Sequence, residues 1–184
     1  MTRVNLIDPV AATPAKPTLE QIRAAFGATP NMFRAVANSP AALSMMWGGF
    51  GALGGGKLGA KLGAKLGEQI AVAVADHNGC GYCLAAHTAL GRKAGASAQE
   101  MTAAQAGVSD DPRTAAALAF ALKVVEDRAH VSDADFARLH AVGFDDEAIV
   151  EIVAHVALNL FTNYVNVAFE VPVDFPAVKL RSAA

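Results

Sequence analysis

Apolar residues recur every three to four positions through most of the chain after residue 17, a spacing that predicts helices rather than strands. Residues 1–17 differ, because Pro9, Pro14 and Pro17 interrupt them and no period is sustained. No segment combines alternating apolar and polar positions with hairpin turns. We therefore expect an all-α, single-domain multi-helix bundle over residues 18–172, preceded by an extended N-terminal arm (1–17) and followed by a C-terminal tail (173–184).

Helix-capping signals mark where several of these helices begin. Thr18–Gln21 and Ser97–Glu100 have the sequence of a capping box, and Ser39–Pro40 places an N-cap residue before a proline. Three later helices are predicted from similar signals: one opened by Asp111–Pro112 and reaching about Arg128, one from Ser132 to near Gly143, and a long one from Asp145 that stops before Pro172.

A short repeat precedes the two cysteines. From Lys57 the sequence reads KLGA, KLGA, KLGE, and a four-residue step keeps the apolar side chains on one helical stripe. Each glycine costs about 1 kcal/mol in helix propensity, so we expect the first part to fray unless another helix packs closely on the glycine side. The residues of the predicted stripe are Leu58, Leu62, Leu66 and Ile70.

The composition narrows the classes of function. The net charge is −2 with five scattered histidines, which does not favour binding to nucleic acid or an anionic membrane. Hydrophobic residues make up 53% and charged residues 17%, which leaves apolar surface for a homo-oligomer. The N-terminus lacks the apolar run of a signal peptide, and no later run approaches the ~18 residues of a membrane span. We expect a cytoplasmic protein.

The two cysteines, Cys80 and Cys83, are too close in sequence to staple distant segments. Asn78–Gly79 supplies a helix stop, and a new helix is predicted from about Cys80 to Gly95. Free N–H groups and the positive dipole end of a helix stabilise a thiolate, lowering a cysteine pKa from ~8.5 toward ~7 or below. The i, i+3 spacing also allows reversible disulfide formation. The pair therefore predicts redox or metal chemistry.

Three neighbouring side chains fit a redox site. His87 lies one helical turn after Cys83, where an imidazole can exchange protons with the thiol. If the flanking helices fold back antiparallel, Glu68 lies within about 5 Å in height of His87 and can orient it. Tyr82, between the cysteines, is a candidate for hydrogen bonding to a bound oxygen species or for forming a pocket wall.

Each of these residues also has a structural interpretation. Taken alone, His87 is also compatible with an ordinary core histidine, and Glu68 with a solvated helix charge, although their joint occurrence favours the functional interpretation. His77, Cys80, Cys83 and His87 together have the residue types of a zinc site, although all four ligands would have to converge from one short turn and helix.

At this point a resemblance becomes specific. The motif Glu68-X11-Cys80-X-Tyr82-Cys83-X3-His87 resembles the core of the AhpD-like branch of the carboxymuconolactone decarboxylase family. Pro30–Arg34, followed by Ser39–Pro40, resembles an N-terminal feature of peroxidase-related members. The resemblance implies an all-α fold, a trimer or hexamer, and peroxide reduction through a cysteine sulfenic acid and an intramolecular disulfide. Tyr82 stands where the AhpD pattern often has histidine.

The identity of the attacking cysteine stays open on physical grounds. Exposure and the helix end favour Cys80, whereas proximity to His87 favours Cys83. The resemblance favours Cys83 as the peroxidatic cysteine and Cys80 as the resolving cysteine.

The last predicted helix carries a line of polar residues, His155, Asn159, Asn163 and Asn166, at steps of four, four and three. This line is either a hydrogen-bonded seam between helices or subunits, or one wall of the active-site cavity, with His155 and Asn159 as candidate substrate-binding residues. Aligning Glu147 with Glu68 also brings Asn159, Thr162 and Asn166 over Cys80, Cys83 and His87, which suggests a degenerate duplicate of the helical hairpin.

The preferred function is a thiol-dependent peroxidase or disulfide oxidoreductase, with Cys80 and Cys83 as a dithiol/disulfide pair and His87/Glu68 as a proton relay. Its partners would be a hydroperoxide substrate and an external dithiol reductant, with no metal or other cofactor. One alternative is a carboxymuconolactone decarboxylase-like proton-transfer enzyme that uses the histidine and glutamate alone. The other is a zinc-stabilised helical interaction protein.

Overall fold

The computed structural model describes residues 2–54 and 61–181. Over these ranges the chain forms nine helices and no β-strand, which confirms the all-α prediction. In chain order the helices are α1 (Lys16–Phe26), α2 (Asn31–Val36), α3 (Pro40–Leu53), α4 (Gly63–His77), α5 (Gly81–Lys93), α6 (Ala98–Gln105), α7 (Pro112–Glu126), α8 (Asp133–Ala141) and α9 (Asp146–Ala168).

Helix α4 lies at the centre of the bundle and packs against α5, α6, α7 and α9. It is continuously buried from Gln69 to Asp76, because alanine and valine dominate this stretch and leave no polar face to expose. The chain reverses at Gly79, whose φ of 66° lies in the left-handed region that glycine tolerates without steric cost. Helix α5 then returns along α4, so the residues on either side of the turn face each other.

Most of the predicted helix starts are confirmed. The Ser39 hydroxyl accepts a hydrogen bond from the backbone N–H of Ala42, and both halves of the Ser97–Glu100 capping box are present. The N-caps of α7, α8 and α9 are, as predicted, Asp111, Ser132 and Asp145.

One predicted helix start is wrong, and one predicted helix end lies two residues too far along the chain. Helix α1 begins at Lys16, so Thr18 lies inside its first turn and does not cap it. The reason is Pro17, whose fixed φ suits the first turn of a helix and lets α1 start earlier. Helix α7 ends at Glu126, because Arg128 and Ala129 both have positive φ.

The apolar stripe before the cysteines is present where it can be seen. Three of its four residues, Leu62, Leu66 and Ile70, are buried. The earlier part of the KLGA repeat, residues 57–60, lies outside the described residues. The predicted hairpin duplicate is wrong, because α9 runs unbroken through residues 157–159, which correspond to the turn before α5.

Helix α9 is also the one described helix long and apolar enough to cross a membrane by length and composition. Half of its apolar window is buried inside the protein, where it packs against α3, α4, α5 and α7. A core helix of a globular protein has the same properties, so this feature is weak evidence for a membrane span.

Both terminal segments pack against the bundle. The backbone N–H of Arg3 donates to the carbonyl of Phe169 at 2.8 Å. On the C-terminal side, the backbone N–H of Asn31 donates to a carboxylate oxygen of Asp174 at 2.7 Å, and that of Arg181 donates to Asp76 at 2.9 Å. Residues 171–181 therefore pass from the N-terminus of α2 to the C-terminal end of α4.

Candidate active site

The two cysteines lie at the N-terminus of α5, as predicted. Cys80 is the N-cap residue and Cys83 lies in the first turn, so the backbone N–H of Cys83 donates to the Cys80 sulfur at 3.3 Å. Cys80 is 1% exposed and Cys83 2%. Exposure therefore does not favour Cys80, contrary to the argument from sequence.

The two thiols differ in acidity. The hydrogen bond with Cys83, together with burial, raises the pKa of the Cys80 thiol above its usual range. Burial also raises the pKa of the Cys83 thiol. The hydrogen bond from Cys80 and the positive charge of His87 outweigh burial and, with two amides described below, lower the pKa of Cys83 to about 6. Cys83 is thus the thiol that ionises at neutral pH.

His87 and Glu68 form the pair expected from the helical hairpin. Nδ1 of His87 lies 2.7 Å from Oε2 of Glu68, and 10% of the histidine side chain is exposed. Burial lowers the pKa of His87, but the charge and hydrogen bond of Glu68 exceed this effect, so that the pKa is raised above 6.5. With Nδ1 bound to the carboxylate, Nε2 is the ring nitrogen left to exchange a proton.

A narrow pocket of about 30 Å³ opens onto Cys83 and His87, which are its only thiol and its only imidazole. Cys80 does not line it. The rest of the wall is almost entirely apolar and comes from α1, α2, α3, α5 and the C-terminal segment. Its largest side chains are Phe26, Met32, Phe33, Phe50, Tyr82 and Phe175.

Tyr82 forms part of this wall, but its hydroxyl is already engaged. The hydroxyl oxygen accepts a hydrogen bond from the backbone N–H of Met32 at 3.2 Å, and the ring meets Phe175 edge-on at 5.7 Å between centroids. Burial raises the pKa of Tyr82, with a further contribution from Asp174. Tyr82 thus fastens α5 to α2 and to the C-terminal segment.

The polar line on α9 divides into two parts. Nδ2 of Asn166 donates to the Cys83 sulfur at 3.1 Å, and Asn163 accepts a hydrogen bond from Asn78 at 2.9 Å. Asn159 instead donates to the carbonyl of His155 in its own helix, at 2.9 Å. Neither His155 nor Asn159, the two candidate substrate-binding residues, lines the pocket at Cys83.

His155 lies against α4 at Gly67. A Cβ atom built on Gly67 would lie 2.7 Å from Cε1 of the imidazole, so glycine is what allows the two helices to approach at this point. Burial lowers the pKa of His155, although Glu68 raises it. Close packing on the glycine side, the condition under which the repeat was not expected to fray, is therefore present at Gly67, and the partner is α9.

Sequence reasoning named the polar line, but the two members it selected as substrate-binding candidates are not the ones that contact Cys83. Asn166 follows Asn159 by seven residues, or about two turns, so both lie on one face and the pattern could not tell which of them reaches the thiol. Apart from Tyr82, the aromatic wall of the pocket was not predicted from the sequence. Its members come from separate helices and become neighbours only in the folded chain.

The zinc interpretation lacks a ligand cluster. His77 is exposed, and its Nδ1 lies 3.5 Å from Glu126. Among residues 2–54 and 61–181, no three His, Cys, Asp or Glu side chains come together in a group that could hold a metal ion.

Comparison with known proteins agrees with the site motif. Residues 46–127, which include the whole motif, match the carboxymuconolactone decarboxylase family. Among curated proteins, none matches the sequence.

Several solved structures share the fold over nearly the whole chain. An uncharacterized peroxidase-related protein from Silicibacter sp. TM1040 is 27% identical, with a TM-score of 0.81 over 93% of this chain and 91% of its own. A peroxidase-related protein from Ralstonia eutropha JMP134, described as an alkylhydroperoxidase AhpD core, is 26% identical, with a TM-score of 0.85 over 94% and 92%. The debrominase Bmp8 has the same fold at 23% identity, with a TM-score of 0.79 over 95% and 93%. Over residues 46–127 the chain therefore matches the carboxymuconolactone decarboxylase family, and over nearly its whole length it has the fold of AhpD-like peroxidase-related proteins.

Proposed function

We propose that the protein is a thiol-dependent peroxidase that reduces hydroperoxides through a Cys80–Cys83 dithiol/disulfide cycle. The observation that carries the proposal is the environment of Cys83. It has a pKa of about 6, lies beside His87, and opens onto an apolar pocket that Cys80 does not reach. Cys83 is accordingly the peroxidatic cysteine.

In the first step, the Cys83 thiolate attacks the terminal oxygen of a hydroperoxide, and the O–O bond breaks as the S–O bond forms. The alkoxide that leaves takes a proton from His87, whose pKa the Glu68 carboxylate raises. The products are an alcohol and the sulfenic acid of Cys83.

In the second step, the Cys80 sulfur attacks the sulfur of the sulfenic acid. The S–S bond forms, the S–O bond breaks, and the oxygen departs as water with the proton that Cys80 loses. The N-cap position of Cys80 supports this role, since it keeps the two sulfurs within one helical turn.

The cycle closes when an external dithiol supplies two electrons and two protons to the disulfide. Such a donor is available in a reducing compartment, so we propose a cytoplasmic location. The aromatic wall of the pocket suits a hydroperoxide with an apolar body.

The direct test is the intact mass of the reduced, metal-free protein before and after one equivalent of an organic hydroperoxide. We expect the loss of two hydrogens, and no such loss when Cys80 and Cys83 are both replaced by serine. A mass that stays unchanged in the wild-type chain would contradict the peroxidase proposal.

The carboxymuconolactone decarboxylase-like alternative is a proton transfer that needs only the imidazole and the carboxylate. The His87–Glu68 pair, 2.7 Å apart and facing the pocket, is the observation in its favour. A double serine variant that retains full turnover of a lactone substrate, in a chain whose thiols do not react with peroxide, would support this alternative.

We also propose a homo-oligomer, a trimer or a hexamer. Four side chains of α9 with largely apolar surfaces are at least 40% exposed: Val150, Val153, Tyr164 and Val167. After Glu151, α9 contains no Asp, Glu, Lys or Arg that would keep this surface in water. Light scattering at micromolar concentration should report a mass well above 18.9 kDa, and Val153→Asp should lower it. A wild-type chain that stays monomeric at all concentrations would rule the assembly out.

A further inference from the structure

The Cys83 sulfur has a contact that neither the motif nor the relay accounts for. Nδ2 of Asn166, on α9, lies 3.1 Å from it, and both residues are at least nine-tenths buried. This hydrogen bond joins residues 83 positions apart, from two helices that pack against each other. The donor therefore comes from a helix that contributes no residue to the lining of the pocket.

The contact is directional. A carboxamide has an N–H end and a carbonyl end, and only the N–H end is complementary to a negative sulfur. The N–H of Asn166 faces Cys83, while its Oδ1 is buried without a partner. A buried carbonyl oxygen without a hydrogen bond is costly, so the structure gives up a favourable contact at one end of this side chain. What it gains is the contact at the thiol.

Asn163 reinforces the arrangement one turn earlier on α9. Its Oδ1 accepts from Asn78, in the turn just before the cysteines, and this bond fixes which way the amide faces. Its Nδ2 is buried with no acceptor within hydrogen-bonding distance, yet it lies near enough to Cys83 to help lower the pKa of that thiol. Two uncharged N–H groups of α9 thus face the same sulfur.

We propose that Asn166 is a further catalytic residue, whose N–H stabilises the Cys83 thiolate and so selects Cys83 over Cys80 as the attacking sulfur. Asn163 is a positioning residue that supports it. The role of attacking sulfur rests on the proposed function, whereas the stabilisation of the thiolate does not. A carboxamide does not titrate, so its contribution persists at a pH where His87 has lost its proton.

The titratable groups near this thiol are few. Cys80 is the N-cap residue of α5 and His87 lies within α5, Glu68 acts from α4 through His87, Tyr82 interacts with Cys83 directly, and His155 interacts with Glu68 and His87. All of them are unchanged in a variant of Asn166. A shift of the Cys83 midpoint in such a variant therefore reports the amide itself.

The test is the pH dependence of alkylation at Cys83 in the reduced full-length protein, resolved from Cys80 by fragment mass spectrometry. Asn166→Leu removes the donor at similar volume, and we expect the midpoint to rise by about one pKa unit or more. Asn166→Asp has the same shape and places an acceptor at the sulfur, so it should raise the midpoint at least as much. Thr162→Val is the matched control, a buried polar residue of α9 that bonds only to the Asn159 carbonyl.

An unchanged midpoint in both Asn166 variants would overturn the proposal, and so would an equal rise in Thr162→Val. If one variant does not fold, as judged by circular dichroism, the other decides. The measurement uses no peroxide. If the wild-type chain does not react with hydroperoxide but the Asn166 variants show the midpoint shift, the proposed function is refuted and the stabilisation by Asn166 stands. If the wild-type chain reacts but the variants show no shift, only the role of Asn166 is refuted.

Discussion

The two cysteines are three residues apart, yet they lie in opposite environments. Cys80 receives the backbone N–H of the helix start, the contact that usually activates a cysteine in this position. Cys83 instead interacts with side chains: it accepts hydrogen bonds from the Cys80 thiol and the Asn166 amide, and it lies near the charge of His87. The pKa of Cys80 is nevertheless raised and that of Cys83 lowered.

The comparison shows that the helix end does not decide which thiol ionises. At Cys80 the hydrogen bond with Cys83, together with burial, raises the pKa by more than the backbone N–H groups of the helix start lower it. Cys83 is buried as well and pays the same kind of desolvation cost. A positive imidazole and amide donors from a second helix offset it at Cys83 only. The ionised sulfur is consequently the one that tertiary contacts reach, and it is also the one that faces the pocket.

The largest expected effect separates the cysteines by substitution. Cys83→Ser should abolish the reaction with hydroperoxide, because the remaining thiol, Cys80, is buried and does not line the pocket. Cys80→Ser should still react once and gain one oxygen as a sulfenic acid, which a dimedone probe would trap. A trapped sulfenic acid at Cys80 in the Cys83→Ser chain would reverse the assignment.

The next effect concerns the charge beside Cys83. His87→Gln removes the imidazolium and the proton donor, so we expect peroxide reduction to slow by about 10²- to 10⁴-fold and the Cys83 midpoint to rise. Stopped-flow peroxide consumption at several pH values measures both. His77→Gln is the control, since His77 is exposed and meets only Glu126. Equal losses of rate in the two variants would show that His87 has no special role.

The smallest effect lies between the cysteines. Gly81 has no positive φ, and a Cβ built on it would meet no atom within 4 Å. Gly81→Ala should therefore change the free energy of unfolding by no more than about 0.5 kcal/mol and leave both thiol midpoints in place. A shift of either midpoint would mean that the backbone of the motif, rather than its surroundings, sets the pKa values.

The fold was largely readable from the sequence because the information is local. N-cap residues such as Ser39 and Asp145 act within one turn, and the apolar spacing acts within one helix. The same locality placed Glu68 opposite His87, since a tight turn at Gly79 leaves two antiparallel helices little freedom in height. The prediction at Thr18 failed because two local signals competed and Pro17 prevailed.

The candidate site could be predicted from the sequence only where its residues come from the hairpin of α4 and α5. The pocket wall and the amide of Asn166 depend on how α9, α2 and the C-terminal segment dock, and no local pattern encodes the docking of separate elements. The same limit explains the uncertainty between the cysteines. From sequence the helix end was visible, whereas the contacts that reverse its effect were not.

The most direct test of the account is the alkylation rate of each cysteine as a function of pH, measured on reduced, metal-free wild-type protein. A thiol with a lowered pKa becomes reactive as the pH rises through that lower value. We therefore expect Cys83 to reach half of its maximal rate near pH 6, and Cys80 to stay slow beyond the midpoint of about 8.5 of a free cysteine. If Cys80 reacts at the lower pH, or if neither thiol reacts below the free-cysteine midpoint, the account of Cys83 as the activated sulfur is wrong.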